Sequence, residues 1–123
     1  MKYLLLMYAN EAETPQYTPE ETPAAYQAAA QAWYAFTAEA KAAGVWEANN
    51  GLTSVTDATS VRVRDGKTLT TDGPFAETHE QLGGYYLLDC KDLDEALRWA
   101  AKIPTAKYGT IEVRPLNVWS QKS

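Results

Sequence analysis

The chain has only one cysteine and one histidine in 123 residues. With Cys90 alone, no intramolecular disulfide and no thiolate cluster can be built by one chain, which leaves the compartment reducing or unspecified. With His79 alone, a Ser-His-Asp triad or a two-histidine metal site must use that residue or fail. Basic residues are also scarce. Eleven Lys and Arg against sixteen Asp and Glu leave a net charge of −5 and a pI near 4.8. That balance opposes phosphate neutralisation, the main source of affinity for nucleic acid, so no nucleic-acid partner is expected. Long apolar runs are missing too. Tyr3 to Ala9 follows a single lysine, contains two tyrosines and leads into an acidic loop, which reads as a strand rather than a signal peptide. Nothing approaches a membrane span, so no membrane partner is expected and the cytoplasm is the default location.

What the chain does have is 46% apolar residues and 14 aromatics, 4 Trp, 8 Tyr and 2 Phe. That is more than a solvated tail carries, and it fits one folded domain over residues 1–123. A chain of this length buries roughly two thirds of the surface it would expose unfolded, enough for an independent core.

The pattern along the chain alternates strands and helices. A strand is expected over residues 2–9, then a polar loop or flap from Asn10 to Thr22. Thr18-Pro19-Glu20-Glu21 reads as a capping box and Thr22-Pro23 as a second start, so Pro23 separates a first turn from the main helix. Tyr26, Ala29, Trp33, Phe36, Ala40 and Ala43 form an apolar stripe on that helix, which Gly44 ends. Residues 45–59 read as irregular, with a short strand near Val45 and Trp46. Val61-Arg62-Val63-Arg64 alternates as a half-buried strand does, and Asp65-Gly66 predicts a type I′ turn returning through Lys67 to Thr71. Thr71 to Gly84 reads as a loop, and Tyr85 to Cys90 as a strand. Asp92-Leu93-Asp94-Glu95 starts a second helix with the stripe Leu93, Ala96, Leu97, Ala100 and Ile103, stopped by Pro104. Residues 111–114 form the last strand.

This order is that of an α+β, ferredoxin-like βαββαβ sandwich with an extra β-hairpin. In such a sheet the first and third main strands are central, and Tyr3 to Ala9 and Tyr85 to Leu88 are indeed apolar on both faces. Residues 61–64 and 111–114 alternate, as edge strands should. Two helices cover one face only, so the other face calls for a second cover, most simply a twin subunit; a homodimer is the expectation.

The most distinctive stretch is Asp72-Gly73-Pro74-Phe75-Ala76-Glu77-Thr78-His79-Glu80, followed by Gln81-Leu82-Gly83-Gly84-Tyr85-Tyr86. It closely resembles the DGPF signature of the YCII-related proteins. The resemblance runs along almost the whole chain, through Val61-Arg62-Val63-Arg64-Asp65-Gly66, Asp92-Leu93-Asp94-Glu95-Ala96-Leu97 and Glu112-Val113-Arg114-Pro115. It implies a dimeric α/β barrel similar in fold to muconolactone isomerase, and a sigma factor of the extracytoplasmic-function type as a candidate partner. His79 stands where similar sequences usually have lysine. The His-Asp pair proposed as catalytic in the smaller YCII proteins has no histidine counterpart here, so the resemblance passes on no catalytic histidine.

Asp72 is the candidate catalytic residue: a carboxylate fixed by the Gly73-Pro74 turn, with Phe75 lowering the local dielectric towards a general-base range. The competing reading is that Asp72 accepts hydrogen bonds from turn amides. Gly73, Pro74, Phe75, Glu77 and His79 make the surrounding ligand-binding set for an unknown small molecule. Arg62 is a candidate for an anionic substrate group, with Tyr8, Trp46 or Tyr86 as walls; the alternative for Arg62 is the wet face of an edge strand. Glu77, His79 and Glu80 have the residue types of a proton relay or weak metal site, but their spacing is not that of a metal motif and a solvated charged loop is the preferred reading; no metal and no cofactor is expected. Cys90 reads as a small buried hydrophobe.

Overall fold

The computed structural model describes residues 1–117. Its main sheet holds four antiparallel strands, β1 (Lys2–Ala9), β2 (Trp46–Gly51), β5 (Gln81–Asp89) and β6 (Thr110–Pro115), in the order β2-β5-β1-β6. Helix α1 (Pro23–Ala42) joins β1 to β2, and α2 (Leu93–Ala100) joins β5 to β6. Strands β3 (Thr59–Arg64) and β4 (Lys67–Asp72) form a separate two-stranded sheet inserted between β2 and β5. The architecture is therefore α+β and ferredoxin-like, with an extra hairpin, as the sequence pattern predicts.

The central pair explains the fold. Opposite residues of an antiparallel pair share a face, and successive residues alternate. Tyr3 faces Leu88, Leu5 faces Tyr86 and Met7 faces Gly84. These side chains lie on the helix side with Phe36 and Ala40 of α1, Ala96 and Ala100 of α2, and Val45, Cys90 and Ile103 in one buried core. The other face carries Leu4 opposite Leu87, Leu6 opposite Tyr85 and Tyr8 opposite Leu82, all half-buried and with no helix over them.

Local signals set several boundaries. Asp65 (φ 52°) and Gly66 (φ 74°) adopt the left-handed pair that a type I′ turn needs. The Asp92 side chain accepts from the Glu95 N–H at 2.9 Å, capping α2. Before α1, Thr18 Oγ1 accepts from Glu21 N–H, while the Thr22 hydroxyl takes the place expected for the Glu21 side chain by accepting from Thr18 N–H. Pro23 then opens the helix proper.

Three expectations need correction. The edge strand beside β5 is Trp46–Gly51, not residues 61–64, which belong to the hairpin. Trp46-Glu47-Ala48-Asn49-Asn50-Gly51 shows no clear alternation, and it is extended because β5 offers it a ladder, with an irregularity between Trp46 and Ala48. The loop ends early, since β5 begins at Gln81 and not Tyr85. Finally, Leu93 and Leu97 are 48% exposed, and α2 meets the sheet through Ala96 and Ala100. Small side chains bring the helix axis close, and Trp99 then packs edge-on to Phe36 at 6.0 Å. On α1, likewise, Phe36 and Ala40 are buried whereas Tyr26 and Ala43 are exposed.

Gly83 and Gly84 sit where β1 and β5 shift register between Met7 and Tyr8. A Cβ on Gly84 would lie 2.6 Å from the Asn50 carbonyl oxygen and 2.8 Å from the Met7 methyl, so the β2-β5-β1 approach requires glycine. Gly84→Ala should lower stability by about 1–3 kcal/mol, the usual cost of overpacking. Gly51→Ala, whose Cβ meets nothing within 4 Å, should stay within about 0.5 kcal/mol of the parent. Urea midpoints check both, and equal stability of the two variants would contradict the packing account.

Candidate functional site

Between α1 and the helix side of the sheet, at the end where β1 and β2 finish and β5 begins, lies an open groove of about 960 Å³. From α1 it is lined by Trp33, Tyr34, Thr37 and Lys41, beside the buried Phe36 and Ala40, and the flap after β1 closes the end with Thr14, Pro15 and Gln16.

The floor is Tyr86, one of the central β5 residues, with Met7 beside it. Its hydroxyl shares a 2.7 Å hydrogen bond with Thr37 Oγ1 of α1. Its ring lies nearly parallel to Trp33, with centroids 6.3 Å apart, and edge-on to Phe36 at 4.9 Å. Burial pushes the Tyr86 phenol pKa up, against a smaller lowering by Thr37, so it serves as a neutral hydrogen-bonding group. Asn49 and Asn50 of β2 form one wall. Asn49 Oδ1 accepts from the Trp46 indole N–H at 2.8 Å, which fixes the amide's orientation.

Both charged side chains at the rim, Glu11 and Lys41, are already engaged. The Glu11 carboxylate accepts from the Ser54 hydroxyl at 2.9 Å and the Val55 N–H at 3.0 Å, tying the flap to the turn after β2. The Lys41 ammonium lies 4.4 Å from the centre of the Trp46 ring. Gln81 completes the rim: its Oε1 accepts from Glu11 N–H at 2.9 Å and its Nε2 donates to the Thr78 carbonyl at 2.6 Å. The groove thus offers aromatic walls, hydroxyls and amides, and its two charged side chains have protein partners.

The residues singled out from the sequence lie elsewhere. Asp72 ends β4 opposite Thr59 and is exposed. Gly73 (φ 94°) makes the turn, donating to the Ala58 carbonyl at 2.6 Å and accepting from the Ser60 hydroxyl at 2.8 Å. Pro74 and Phe75 follow on the surface, Phe75 being 77% exposed, as are Glu77 and His79. Arg62 projects from β3, and Tyr8 belongs to the sheet face turned away from the helices. None of these residues lines the groove; Tyr86, named as a wall, does. Asp72, Gly73, Pro74 and Phe75 are neighbours in sequence and space, while Tyr8 stands apart on the main sheet.

Thr37, Lys41, Asn49, Asn50 and Gln81 were not anticipated as site residues. The signal available was the polar pair Thr37 and Lys41, about one and two turns beyond Trp33 on the same side of the helix. Among the described residues no group of three or more His, Cys, Asp and Glu side chains is placed to hold a metal ion. No helix among them is long and apolar enough to cross a membrane.

A YCII-related domain model matches residues 1–120. The chain belongs to the YCII-related family. An uncharacterized protein of Rhizobium meliloti (strain 1021), R00369, is 36% identical over 121 residues, covering 97% of this chain and 94% of the relative. Kinship therefore fixes the family and leaves the chemistry to be argued from the site.

Cys90 lies in the core of this YCII-related domain, away from the groove. Burial first, then the charge and hydrogen bonding of Glu95 and the charge of Asp89, push its thiol up to about 11, while the amino terminus pulls the other way. The unfolded thiol ionises near ~8.5. Below that pH both states hold the proton and the stabilising contribution is complete. Between ~8.5 and the folded value the unfolded state loses its proton first, so the contribution shrinks as pH rises. The stability difference between the parent and Cys90→Ala, from urea titrations at pH 7 to 10, should therefore narrow with pH. A difference independent of pH would contradict this.

Proposed function

We propose that this YCII-related protein binds a small, uncharged, partly aromatic molecule in the groove under α1, acting as a homodimer, with the Asp72–Glu80 segment as the second element of the site. The observation that carries this reading is the Thr37–Tyr86 hydroxyl pair beside Trp33 on the groove floor. Hydrogen-bonding groups converge there within an apolar, aromatic cleft, the usual build of a small-molecule site. An uncharged ligand is favoured because the deeper lining, Met7, Trp33, Thr37, Asn49 and Tyr86, carries no formal charge.

Proton transfer by Asp72 is the finer form of the reading. Its support is the place of Asp72 at the end of β4, immediately before the Gly73-Pro74 turn that is held by hydrogen bonds to Ala58 and Ser60. The segment also reaches the groove at its other end, where Thr78 is hydrogen-bonded to Gln81. A second, non-catalytic reading is a regulatory protein that meets a partner, the sigma factor of the resemblance being one candidate. The uncovered sheet face of Leu4, Leu6, Tyr85 and Leu87 favours an interaction role.

A thermal-shift screen of neutral phenols, amides and heteroaromatics separates these. A ligand at a hundred times its Kd stabilises by about 2.7 kcal/mol, a shift of a few degrees. The groove reading expects such a shift to be abolished in Trp33→Ala and reduced about tenfold in affinity in Tyr86→Phe. A shift that survives both changes sinks it. Asp72→Asn should bind the compound but fail to convert it; turnover equal to the parent removes Asp72 from the chemistry and leaves the groove reading intact.

A further inference from the structure

The β3–β4 hairpin is exposed on both sides: every side chain from Val61 to Asp72 is open to solvent. Val61 is 60% exposed, Val63 58% and Leu69 50%. A two-stranded hairpin alone is marginal in water, and this one pairs with no strand of the main sheet. Its two faces differ. The register puts Val61, Val63, Thr68, Thr70 and Asp72 on one side, and Arg62, Arg64, Lys67 and Leu69 on the other. The cationic side has no ion pair among the described residues, and Arg64 donates only to its neighbour's carbonyl, Val63 O.

The complement exists in the same chain, unused. The flap from Asn10 to Thr22 carries Glu11, Glu13, Glu20 and Glu21 and no Lys or Arg. Glu11 is engaged with Ser54 and Val55, whereas Glu13, Glu20 and Glu21 are exposed and join no ion pair among the described residues. A cationic arm and an acidic flap that do not meet within one chain are matched surfaces for two copies of it.

We propose that the β3–β4 arm of each protomer docks on a second copy of this chain, with its valine side against that copy and Arg62, Arg64 and Lys67 under that copy's acidic flap. This rests on the homodimer reading above and adds an exchange of arms to it. Because the flap also borders the groove, the exchange puts Asp72 and Phe75 of one protomer near the groove mouth of the other, so each site is completed in trans. That placement brings Asp72 and Phe75, which do not line the groove of their own protomer, to a groove.

Light scattering on the parent, followed by dissociation constants for three variants, tests the proposal. The first variant reverses the arm (Arg62→Glu, Arg64→Glu, Lys67→Glu), the second reverses the flap (Glu13→Lys, Glu20→Lys, Glu21→Lys), and the third combines both. Either reversal should weaken the dimer by about tenfold or more, and the combination should recover most of the loss. In parallel, Arg64→Cys mixed with Glu20→Cys and a short bismaleimide should give a crosslinked pair only when both proteins are present, since Cys90 is buried. A monomeric parent overturns this proposal together with the homodimer reading. A dimer indifferent to arm reversal, weakening that the combined variant does not recover, or no mixed crosslink overturns the arm exchange alone.

Discussion

The pairing of β1 with β5 is the constraint on which the rest of the structure depends. Both strands are apolar on both faces, so the sheet they form must be covered twice. The helices cover Tyr3, Leu5, Met7, Tyr86 and Leu88, and they do so with alanines, which keep α2 close. The groove opens beside this core, between Tyr86 and Met7 of the sheet and Trp33, Thr37 and Lys41 of α1. The same pairing needs Gly84, because Asn50 and Met7 converge on it from β2 and β1. Groove, glycine and uncovered face therefore share a single origin.

How much of this was legible in the sequence depended on how local each cause is. The β1 strand, the Asp65-Gly66 turn, the Asp92 cap and the Pro23 start are encoded within a few residues, and each appears where its chemistry puts it. The edge strand Trp46–Gly51 was not, because its extension comes from the ladder β5 supplies and not from its own residues. Leu93 and Leu97 misled for a related reason. Hydrophobicity ranks leucine above alanine for burial, yet a helix resting closely on a sheet selects the smaller side chain.

The site was legible only in part. The Asp72–Glu80 motif is conspicuous because its residues are contiguous, but contiguity says nothing about what surrounds them. The groove is assembled from the flap, α1, β2 and β5, so no short stretch reports it. Trp33 carried the expectation of a core residue, and it does pack against the core while also facing the groove. Such a dual position is where a packing rule and a binding rule predict the same residue type.

Gln81 joins the two descriptions. Its amide accepts from the flap at Glu11 and donates to Thr78, near the end of the distinctive segment. Thr78 in turn donates to the Glu80 carbonyl, and the Glu80 carboxylate accepts from Thr110 at the start of β6. The segment is thus bolted to the groove rim and to the sheet at one end, while its other end rides on the exposed hairpin. A displacement of the hairpin would have to be taken up between Gly73 and Glu77, since Thr78 is held by the Gln81 amide. Anything that seats the arm therefore also sets where Asp72 and Phe75 lie relative to a groove rim that stays fixed. In the proposed arrangement the Asp72 segment gains a role from the contact that positions it, and a groove whose own carboxylate, Glu11, is held by Ser54 and Val55 gains a second acidic group in Asp72.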